Sequence, residues 1–248
     1  MKHCSMFCLI LFVAITSVAA PQQPVVVELF TSEGCSDCPP ADDLLSAMVQ
    51  RPPADLNLVP LAFHVTYWDT GGWRDRFSDI HYTERQKEYQ TQFHTQSVYT
   101  PQSIIDGRYA AVGNNTSQVF ALIRRAAAEP KPVTVEISTS GDSVTVTAHA
   151  PDDKLSGKVL LAITEDGLST EVKGGENRSR TLHHSAVVRS LEDLGKLKDG
   201  TFSRTVRLKL KNDWQRDRLH AVVVVQDKSD HVLGAATTPI AAQHAAKR

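Results

Sequence analysis

The sequence predicts an α/β domain with the element order β-α-β-α-β-β-α, followed by a mostly antiparallel, β-sandwich-like domain. Up to residue 129, apolar runs alternate with helical patterns. From residue 130 onwards, apolar and polar residues alternate with a period of two. Pro130-Lys131-Pro132 interrupts the chain where the pattern changes. We therefore expect the two domains to span residues 21–129 and 130–248.

Turn and cap residues set the limits of the elements in the first domain. Pro39 and Pro40 suit the first turn of a helix, where a missing N–H donor costs little. Asp106-Gly107 is typical of a two-residue hairpin turn, and an Asn-Thr pair caps the last helix. The predicted elements are strand 25–30, helix 39–49, strand 56–65, helix 83–93, strands 102–105 and 108–112, and helix 117–127.

The second domain is predicted from its alternating pattern. Gly-Asp and Asp-Gly dipeptides, which are typical of turns, lie between its strand-like runs. The predicted strands are 133–137, 144–147, 159–163, 205–210 and 221–225.

Composition and charge exclude several classes of protein. With 41% hydrophobic residues, 22% charged residues and 4 Cys among 248 residues, the chain is neither disordered nor a disulfide-rich scaffold. Lys+Arg at 27 balance Asp+Glu at 28, and no basic run is longer than Arg124-Arg125. We therefore expect neither nucleic acid nor an anionic membrane surface as a partner.

The first twenty residues are typical of an export signal. Lys2 precedes an apolar run at 6–13, and small residues end the segment at Ala20. The run is too short for a stable membrane anchor; the alternative is a buried N-terminal helix. Cleavage after Ala20 would leave only Cys35 and Cys38 of the four cysteines, in a periplasmic or secreted protein, where disulfides persist.

Cys35 and Cys38 form a Cys-x-x-Cys motif between a predicted strand and a predicted helix. The helix dipole and the unpaired N–H groups of the first turn favour a thiolate at the first sulfur. We expect Cys35 to be exposed and to attack disulfides, and Cys38 to resolve the mixed disulfide. A structural role suits the pair less well, because closing so short a loop removes only about 2 kcal/mol of unfolded-chain entropy.

Two other classes of function remain open. Cys35, Cys38 and a histidine such as His64 could hold copper, since thiolate and imidazole ligands suit that metal. Zinc would need two further ligands, and His64, His81 and His94 are the candidates. In a noncatalytic binding protein, the second domain would recognise the ligand and the cysteine pair would be idle.

The segment Tyr99-Thr100-Pro101-Gln102 adds a second motif, because an X-Pro bond ahead of a strand can be cis. Together with the Cys-x-x-Cys motif and the element order, it resembles the thioredoxin-like fold from residue 25 to about 128. The resemblance implies that Pro101 is a cis residue packed against the disulfide. It also implies that Thr100 offers backbone hydrogen bonds to an extended substrate segment.

Longer strings of the sequence are also distinctive. They are residues 27–42 (VELFTSEGCSDCPPAD), 64–69 (HVTYWD) with Gly72 and Trp73, 98–102 (VYTPQ) and 106–108 (DGR). Together with segments 175–177, 180–182 and 187–189, they resemble a secreted bacterial family called domain of unknown function 1223. The family implies a thioredoxin-like domain and export, and it implies no particular substrate.

Carboxylates near the cysteines bear on the chemistry of the pair. Thioredoxin-like proteins often carry a buried acid that handles the proton of the inner cysteine, so the resemblance implies this role for Glu28; the alternative is a carboxylate satisfied by solvent or by an arginine. Glu33 and Asp37, with Asp42 and Asp43 in the following turns, make the local field negative and oppose a thiolate. This favours reduction or isomerisation of disulfides over their formation.

Residues 64–79 are rich in aromatic and arginine side chains. Trp68 and Trp73 are predicted to bind substrate beside Cys35, or else to fill the domain interface. His64 is expected either in the core or near the disulfide. The polar loop around 176–184 either lies in solvent or folds over Cys35.

The sequence thus predicts an exported thiol-disulfide oxidoreductase that acts on protein or small disulfides. Cys35 is the nucleophile, Cys38 resolves, Pro101 and Thr100 shape the groove, and Glu28 carries a proton. The disulfide is itself the redox centre, so we expect no metal and no organic cofactor. The expected partners are protein thiols or disulfides and a separate redox protein that supplies electrons.

Overall fold

The structure is a computed structural model, and it describes residues 22–240. The predicted export signal at 1–20 lies outside the described residues. The helices and strands are β1 (Pro24–Thr31), α1 (Pro39–Gln50), β2 (Asn57–His64), α2 (Ile80–Gln92), β3 (Gln102–Ile105), β4 (Tyr109–Val112), α3 (Thr116–Ala127), β5 (Thr134–Ser140), β6 (Ser143–His149), β7 (Gly157–Glu165), β8 (Leu168–Glu171), β9 (Thr181–His184), β10 (Val187–Leu197), β11 (Thr201–Arg207), β12 (Leu219–Gln226) and β13 (Val232–Pro239).

An eight-stranded mixed sheet, in the order β13-β12-β7-β10-β2-β1-β3-β4, joins the two halves of the chain. β2 pairs in parallel with β1 and with β10, and the other pairs are antiparallel. The predicted fold class is therefore wrong. The first seven elements occur in the predicted order. However, the structure is mostly β, and strands of both halves belong to one large sheet. It is not a thioredoxin-like α/β fold followed by a β-sandwich.

β10 is the reason for this difference. It lies between β7 and β2, and Val187 is aligned with Ala62 of the first half. Two irregularities in its register with β7, between Val188 and Ser190 and between Asp193 and Gly195, interrupt the alternation of its side chains. Because each irregularity shifts the period-two pattern, no strand was predicted there. The boundary near residue 130 stays a prediction.

The two faces of β1 pack against different helices. Val27 and Leu29 pack on the side of α1 and α3, where Leu45 and Ile123 are also buried. Phe30 faces the other way, into a cluster that holds side chains of α2 and of β7, β10, β12 and β13. The cluster around Phe30 therefore includes side chains from both halves of the chain.

The Asp106-Gly107 turn confirms a prediction and also contacts the second half. Both residues have positive φ, 51° and 64°, as a type I′ hairpin turn requires. Asp106 lies fully buried, and its carboxylate pairs with Lys131 at 2.8 Å. A Cβ at Gly107 would lie 1.9 Å from the carbonyl oxygen of Asp230, so only glycine fits at this position.

Two smaller sheets complete the architecture. β11, β6 and β5 form a three-stranded antiparallel sheet, and β8 and β9 form a two-stranded one. The predicted strands at 205–210 and 144–147 correspond to β11 and β6, with shifted ends. None of the helices within residues 22–240 has the length and apolar character needed to cross a bilayer.

Candidate functional site

Cys35 and Cys38 form a disulfide at the beginning of α1. Cys38 is the N-cap residue of the helix, and the prolines predicted for the first turn occupy that turn. We call residues 32–38, which connect β1 to α1, the cysteine loop. The Cα atoms of the two cysteines are 5.4 Å apart.

Both cysteines are sealed from solvent. Cys35 is 1% exposed and Cys38 is 0% exposed, so the expectation that Cys35 would be accessible is wrong. The segment 172–180, which connects β8 to β9 and which we call the cap loop, lies across the cysteine loop. The sequence left open whether the polar residues in this region fold over Cys35, and the structure shows that they do.

Two residues of the cap loop bind backbone groups of the cysteine loop. The buried side-chain amide of Asn177 donates to the carbonyl oxygens of Glu33 (2.9 Å) and Cys35 (2.8 Å). The carboxylate of Glu176 accepts a hydrogen bond of 3.1 Å from the backbone N–H of Ser36. This contact lowers the pKa of Glu176, because the hydrogen bonds from Ser36 favour its ionised form.

Close backbone packing holds the cap loop against the segment around Trp73. A Cβ at Gly174 would lie 2.3 Å from the carbonyl oxygen of Gly72. At Gly175, where φ is +67°, a Cβ would lie 3.1 Å from the Cβ of Trp73. Glycines at these two positions therefore allow the two loops to lie in contact.

The predicted substrate-binding tryptophans both lie against the cysteine loop, and both are half-buried. Trp68 donates from its indole N–H to the hydroxyl of Thr100 at 2.7 Å, and its Cβ lies 3.1 Å from where a Cβ on Gly34 would stand. Trp73 donates to the Glu33 carboxylate at 2.9 Å. Their role in substrate binding stays a prediction.

The bond between Thr100 and Pro101 is cis, as the resemblance implies. Pro101 lies on the same side as α1, because a Cβ at Gly113 would be 3.0 Å from the Cβ of Pro101 and 3.3 Å from that of Ala41. Asn114 adds a hydrogen bond of 3.4 Å to the carbonyl oxygen of Asp37.

Five buried ionisable residues form a cluster beside the cysteine loop: Glu33, Asp42, His64, Asp75 and His184. The imidazole of His64 and the carboxylate of Asp75 are 2.6 Å apart, and the rings of His64 and His184 are 5.0 Å apart between centroids. His184 lies 3.4 Å from a carboxylate oxygen of Glu33, whose backbone N–H donates to Asp75 at 2.9 Å. Burial opposes ionisation of Asp75, but the charge and hydrogen bond of His64 hold its pKa below the usual value.

Asp42 is the member of this cluster on α1. Its backbone N–H donates to the carbonyl oxygen of Cys38, and its carboxylate accepts a hydrogen bond of 3.2 Å from Thr31. Burial raises the pKa of Asp42 from 3.8 to about 7, although the charge of His184 and the hydrogen bond from Thr31 oppose the shift. Asp42 is also one of the residues that line a cleft of about 180 Å³ between α1 and β9, together with Asp43, Arg180 and His183.

Glu28 is buried as predicted, but it faces away from α1. Its carboxylate accepts hydrogen bonds from the guanidinium of Arg85 at 2.6 and 2.8 Å and from the Tyr89 hydroxyl at 2.6 Å, both on α2. These contacts match the alternative in which an arginine satisfies the carboxylate. They join β1 to α2 and do not reach the disulfide. The proton-carrying role of Glu28 stays a prediction, and these contacts do not support it.

His64 lies in the core, which was one of its two predicted positions. Within residues 22–240, no group of three or more His, Cys, Asp or Glu side chains is placed to hold a metal ion. The contacts of Asn177 and the buried position of Asp42 were missed by sequence reasoning. One feature of the sequence could have indicated that Asp42 lies near the disulfide: it is four positions after Cys38 and therefore lies on the same face of a helix.

Solved structures share this fold. A protein from Agrobacterium tumefaciens, known from an X-ray crystal structure, is similar with a TM-score of 0.75 and 25% identity over 91% of this chain and 97% of that one. HBP35 of Porphyromonas gingivalis is similar with a TM-score of 0.65 and 12% identity over 88% of this chain and 76% of that one.

No protein of curated function is significantly similar to this chain in sequence. The family model described as protein of unknown function (DUF1223) matches residues 26–226. This match covers the cysteine loop, the buried cluster and the cap loop, and it confirms the family resemblance found in the sequence. The chain therefore belongs to the DUF1223 family.

Proposed function

We propose that this protein is a thiol-disulfide oxidoreductase that acts through Cys35 and Cys38. The observation that carries the proposal is the disulfide between residues only three positions apart, at the first turn of α1. A bond across so short a loop contributes little stability through chain entropy, whereas the beginning of a helix stabilises a thiolate. The pair is therefore better suited to exchange than to cross-linking.

In the proposed exchange, a thiolate of a partner dithiol attacks the sulfur of Cys35. The Cys35–Cys38 bond breaks, the partner sulfur bonds to Cys35, and Cys38 leaves as a thiolate that takes up a proton. The second partner thiolate then attacks the partner sulfur of the mixed disulfide and releases Cys35 as a thiolate. Two electrons pass from the partner dithiol to the cysteine pair, and the reverse sequence reduces a partner disulfide.

Asp42 supports this chemistry better than Glu28 does. It lies one helical turn beyond Cys38, on the side of the sheet where α1 packs, and its pKa of about 7 lets it hold or release a proton near neutral pH. The cleft that it shares with β9 gives that proton a route towards solvent. We assign to Asp42 the supply of a proton to the Cys38 thiolate.

Electrostatics also supports the direction expected from the sequence. The carboxylates of Glu33 and Asp75 are buried beside the cysteine loop, and negative charge there opposes a stable thiolate. A disulfide whose reduced form is not strongly stabilised is a weak oxidant. We therefore propose that the protein reduces or isomerises disulfides of exported proteins in the periplasm or outside the cell, with electrons from a separate redox protein.

Trapping of the mixed disulfide tests this proposal. In Cys38→Ser, the first exchange at Cys35 cannot be resolved, so a partner should stay covalently attached. We expect dithiothreitol-sensitive adducts of Cys38→Ser when the full chain is expressed in an exporting host, and we expect none for the double variant Cys35→Ser/Cys38→Ser. Equal adduct patterns for the two variants, together with no turnover of insulin disulfides by the wild type, would contradict the proposed function.

A further inference from the structure

Side chains of the cap loop bind three backbone groups of the cysteine loop, one of which, the carbonyl oxygen of Cys35, also accepts a hydrogen bond of 3.3 Å from the N–H of Cys38. Asn177 donates to two carbonyl oxygens, those of Glu33 and Cys35, and Glu176 accepts from the N–H of Ser36. These are two acceptors and one donor along one stretch of backbone. A neighbouring extended polypeptide can form hydrogen bonds with such groups through its own backbone. The side chains of the cap loop thus make the hydrogen bonds that a bound peptide would make at this position.

Asn177 is held firmly in this position. Its side-chain oxygen accepts a hydrogen bond of 2.8 Å from Arg180, and the residue is 0% exposed. The ends of the cap loop are closed by backbone bonds between Val172 and Arg180 and between Ser179 and Val172, both 2.9 Å. Because the cysteines beneath are also sealed, a reactant cannot reach Cys35 while these contacts persist.

We infer that Asn177 is a specificity-determining residue, which restricts the disulfide to polypeptide partners that replace the cap loop on the backbone of the cysteine loop. The inference rests on the proposed function and names the class of its substrate. Opening the cap loop leaves the carbonyl oxygens of Glu33 and Cys35 and the N–H of Ser36 without these partners, which costs free energy. An extended peptide restores such hydrogen bonds through its own N–H and C=O groups, whereas a small dithiol does not.

The neighbouring side chains are consistent with a peptide site. Trp68 lies next to Gly34 and Trp73 donates to Glu33, and both tryptophans are half-buried while the cap loop is closed. Displacement of Gly174 and Gly175 would uncover the face of Trp73 against which they pack. Aromatic side chains of this kind serve as anchors for peptide partners.

The test compares the rate at which two reductants reduce the Cys35–Cys38 disulfide of the full-length mature chain. The reductants are dithiothreitol and a reduced 20-residue peptide with two cysteines, at equal thiolate concentration. Samples are quenched with iodoacetamide, and the alkylated protein is measured by mass spectrometry. The variants are Asn177→Ala and Glu176→Gln, and Arg178→Ala is the matched control, because Arg178 is an exposed residue of the same loop.

We expect the wild type to react about tenfold faster with the peptide than with dithiothreitol. Asn177→Ala should raise the dithiothreitol rate about tenfold and so remove the preference, and Glu176→Gln should raise it by a smaller factor. Arg178→Ala should match the wild type with both reductants. Circular dichroism confirms that each variant is folded, and the exposed Glu176 side chain allows Glu176→Gln to test the inference if Asn177→Ala does not fold.

Two results overturn the inference. Dithiothreitol rates that are the same in the wild type and in every folded variant would show that the cap loop does not limit access. A wild type without preference for the peptide would show that the partner is not selected as a polypeptide. In both cases the proposed function survives if mixed disulfides form, whereas a disulfide that exchanges with no thiol in any variant removes the proposed function itself.

Discussion

Arg85 and Glu28 form a buried ion pair with two hydrogen bonds, in which the guanidinium nitrogens lie 2.6 and 2.8 Å from the carboxylate oxygens. Arg85 is 7% exposed and Glu28 is 0% exposed. The same guanidinium also donates to Gln226 of β12 at 3.1 Å. This pair therefore joins β1 and α2 to a strand of the second half of the chain, close to the cluster of apolar side chains that both halves share.

The first prediction concerns the stability of that ion pair. Arg85→Leu should lower the free energy of unfolding by about 3–5 kcal/mol, because it leaves the Glu28 carboxylate buried without a counter-charge. Lys87→Ala is the control, since Lys87 is exposed and forms its ion pair with Glu84 on the same helix, and it should change stability by less than about 0.5 kcal/mol. Urea unfolding measures both values. A loss of less than about 1 kcal/mol for Arg85→Leu would contradict the prediction.

The second prediction concerns the turn between β3 and β4. Gly107→Ala should cost about 3 kcal/mol or more, because φ is positive and the added Cβ would overlap the carbonyl oxygen of Asp230. At Gly141, φ is also positive, but no atom lies within 4 Å of the added Cβ. Gly141→Ala should therefore cost only about 1 kcal/mol. Thermal and urea unfolding separate the two effects, and equal losses would show that the contact with Asp230 carries no cost.

The third prediction concerns pH and Asp42. Because its pKa in the folded state is raised to about 7, the folded protein binds a proton more tightly here than the unfolded chain does. The stability that this group contributes is fully present below pH 3.8, falls as the pH rises to about 7, and is lost above that. Asp42→Asn should therefore gain stability relative to the wild type as the pH rises from 4 to 8.

Denaturant unfolding at several pH values measures this difference. Asp43→Asn is the control, because Asp43 is an exposed neighbour on the same helix. The groups that face Asp42 are Thr31, Asp75 and His184 from other elements and Asp43 from its own, so the His184→Gln background isolates the contribution of the imidazole. A difference between wild type and Asp42→Asn that is constant from pH 4 to 8 would contradict the raised pKa.

The fourth prediction concerns the contribution of the disulfide to stability. Reduction of the Cys35–Cys38 bond should lower the free energy of unfolding by only about 2 kcal/mol, because the closed loop is short. Urea unfolding with and without reductant measures this value. Cys35→Ala/Cys38→Ala is the control and should be insensitive to reductant. A loss well above about 4 kcal/mol would assign the pair a structural role instead.

Local features of the chain were predictable because they depend on neighbouring residues. Pro39 and Pro40 mark the first turn of α1, and Asp106-Gly107 marks the turn between β3 and β4, since their backbone preferences act within a few residues. The Cys-x-x-Cys pair and the order of the first seven elements followed from the same short-range information. The burial of Glu28 followed from the apolar strand around it.

The sequence by itself therefore determined that three helices lie in the first half, with α1 beginning at Pro39, which cysteines can pair and to which family the chain belongs. Only the tertiary structure decided that β10 carries one sheet through both halves and that Asn177, 142 positions from Cys35, closes over the disulfide. The physical reason is that propensity and periodicity act over a few residues. Pairing between distant strands and the sealing of a buried site depend on the packing of the whole chain, and no local pattern encodes them.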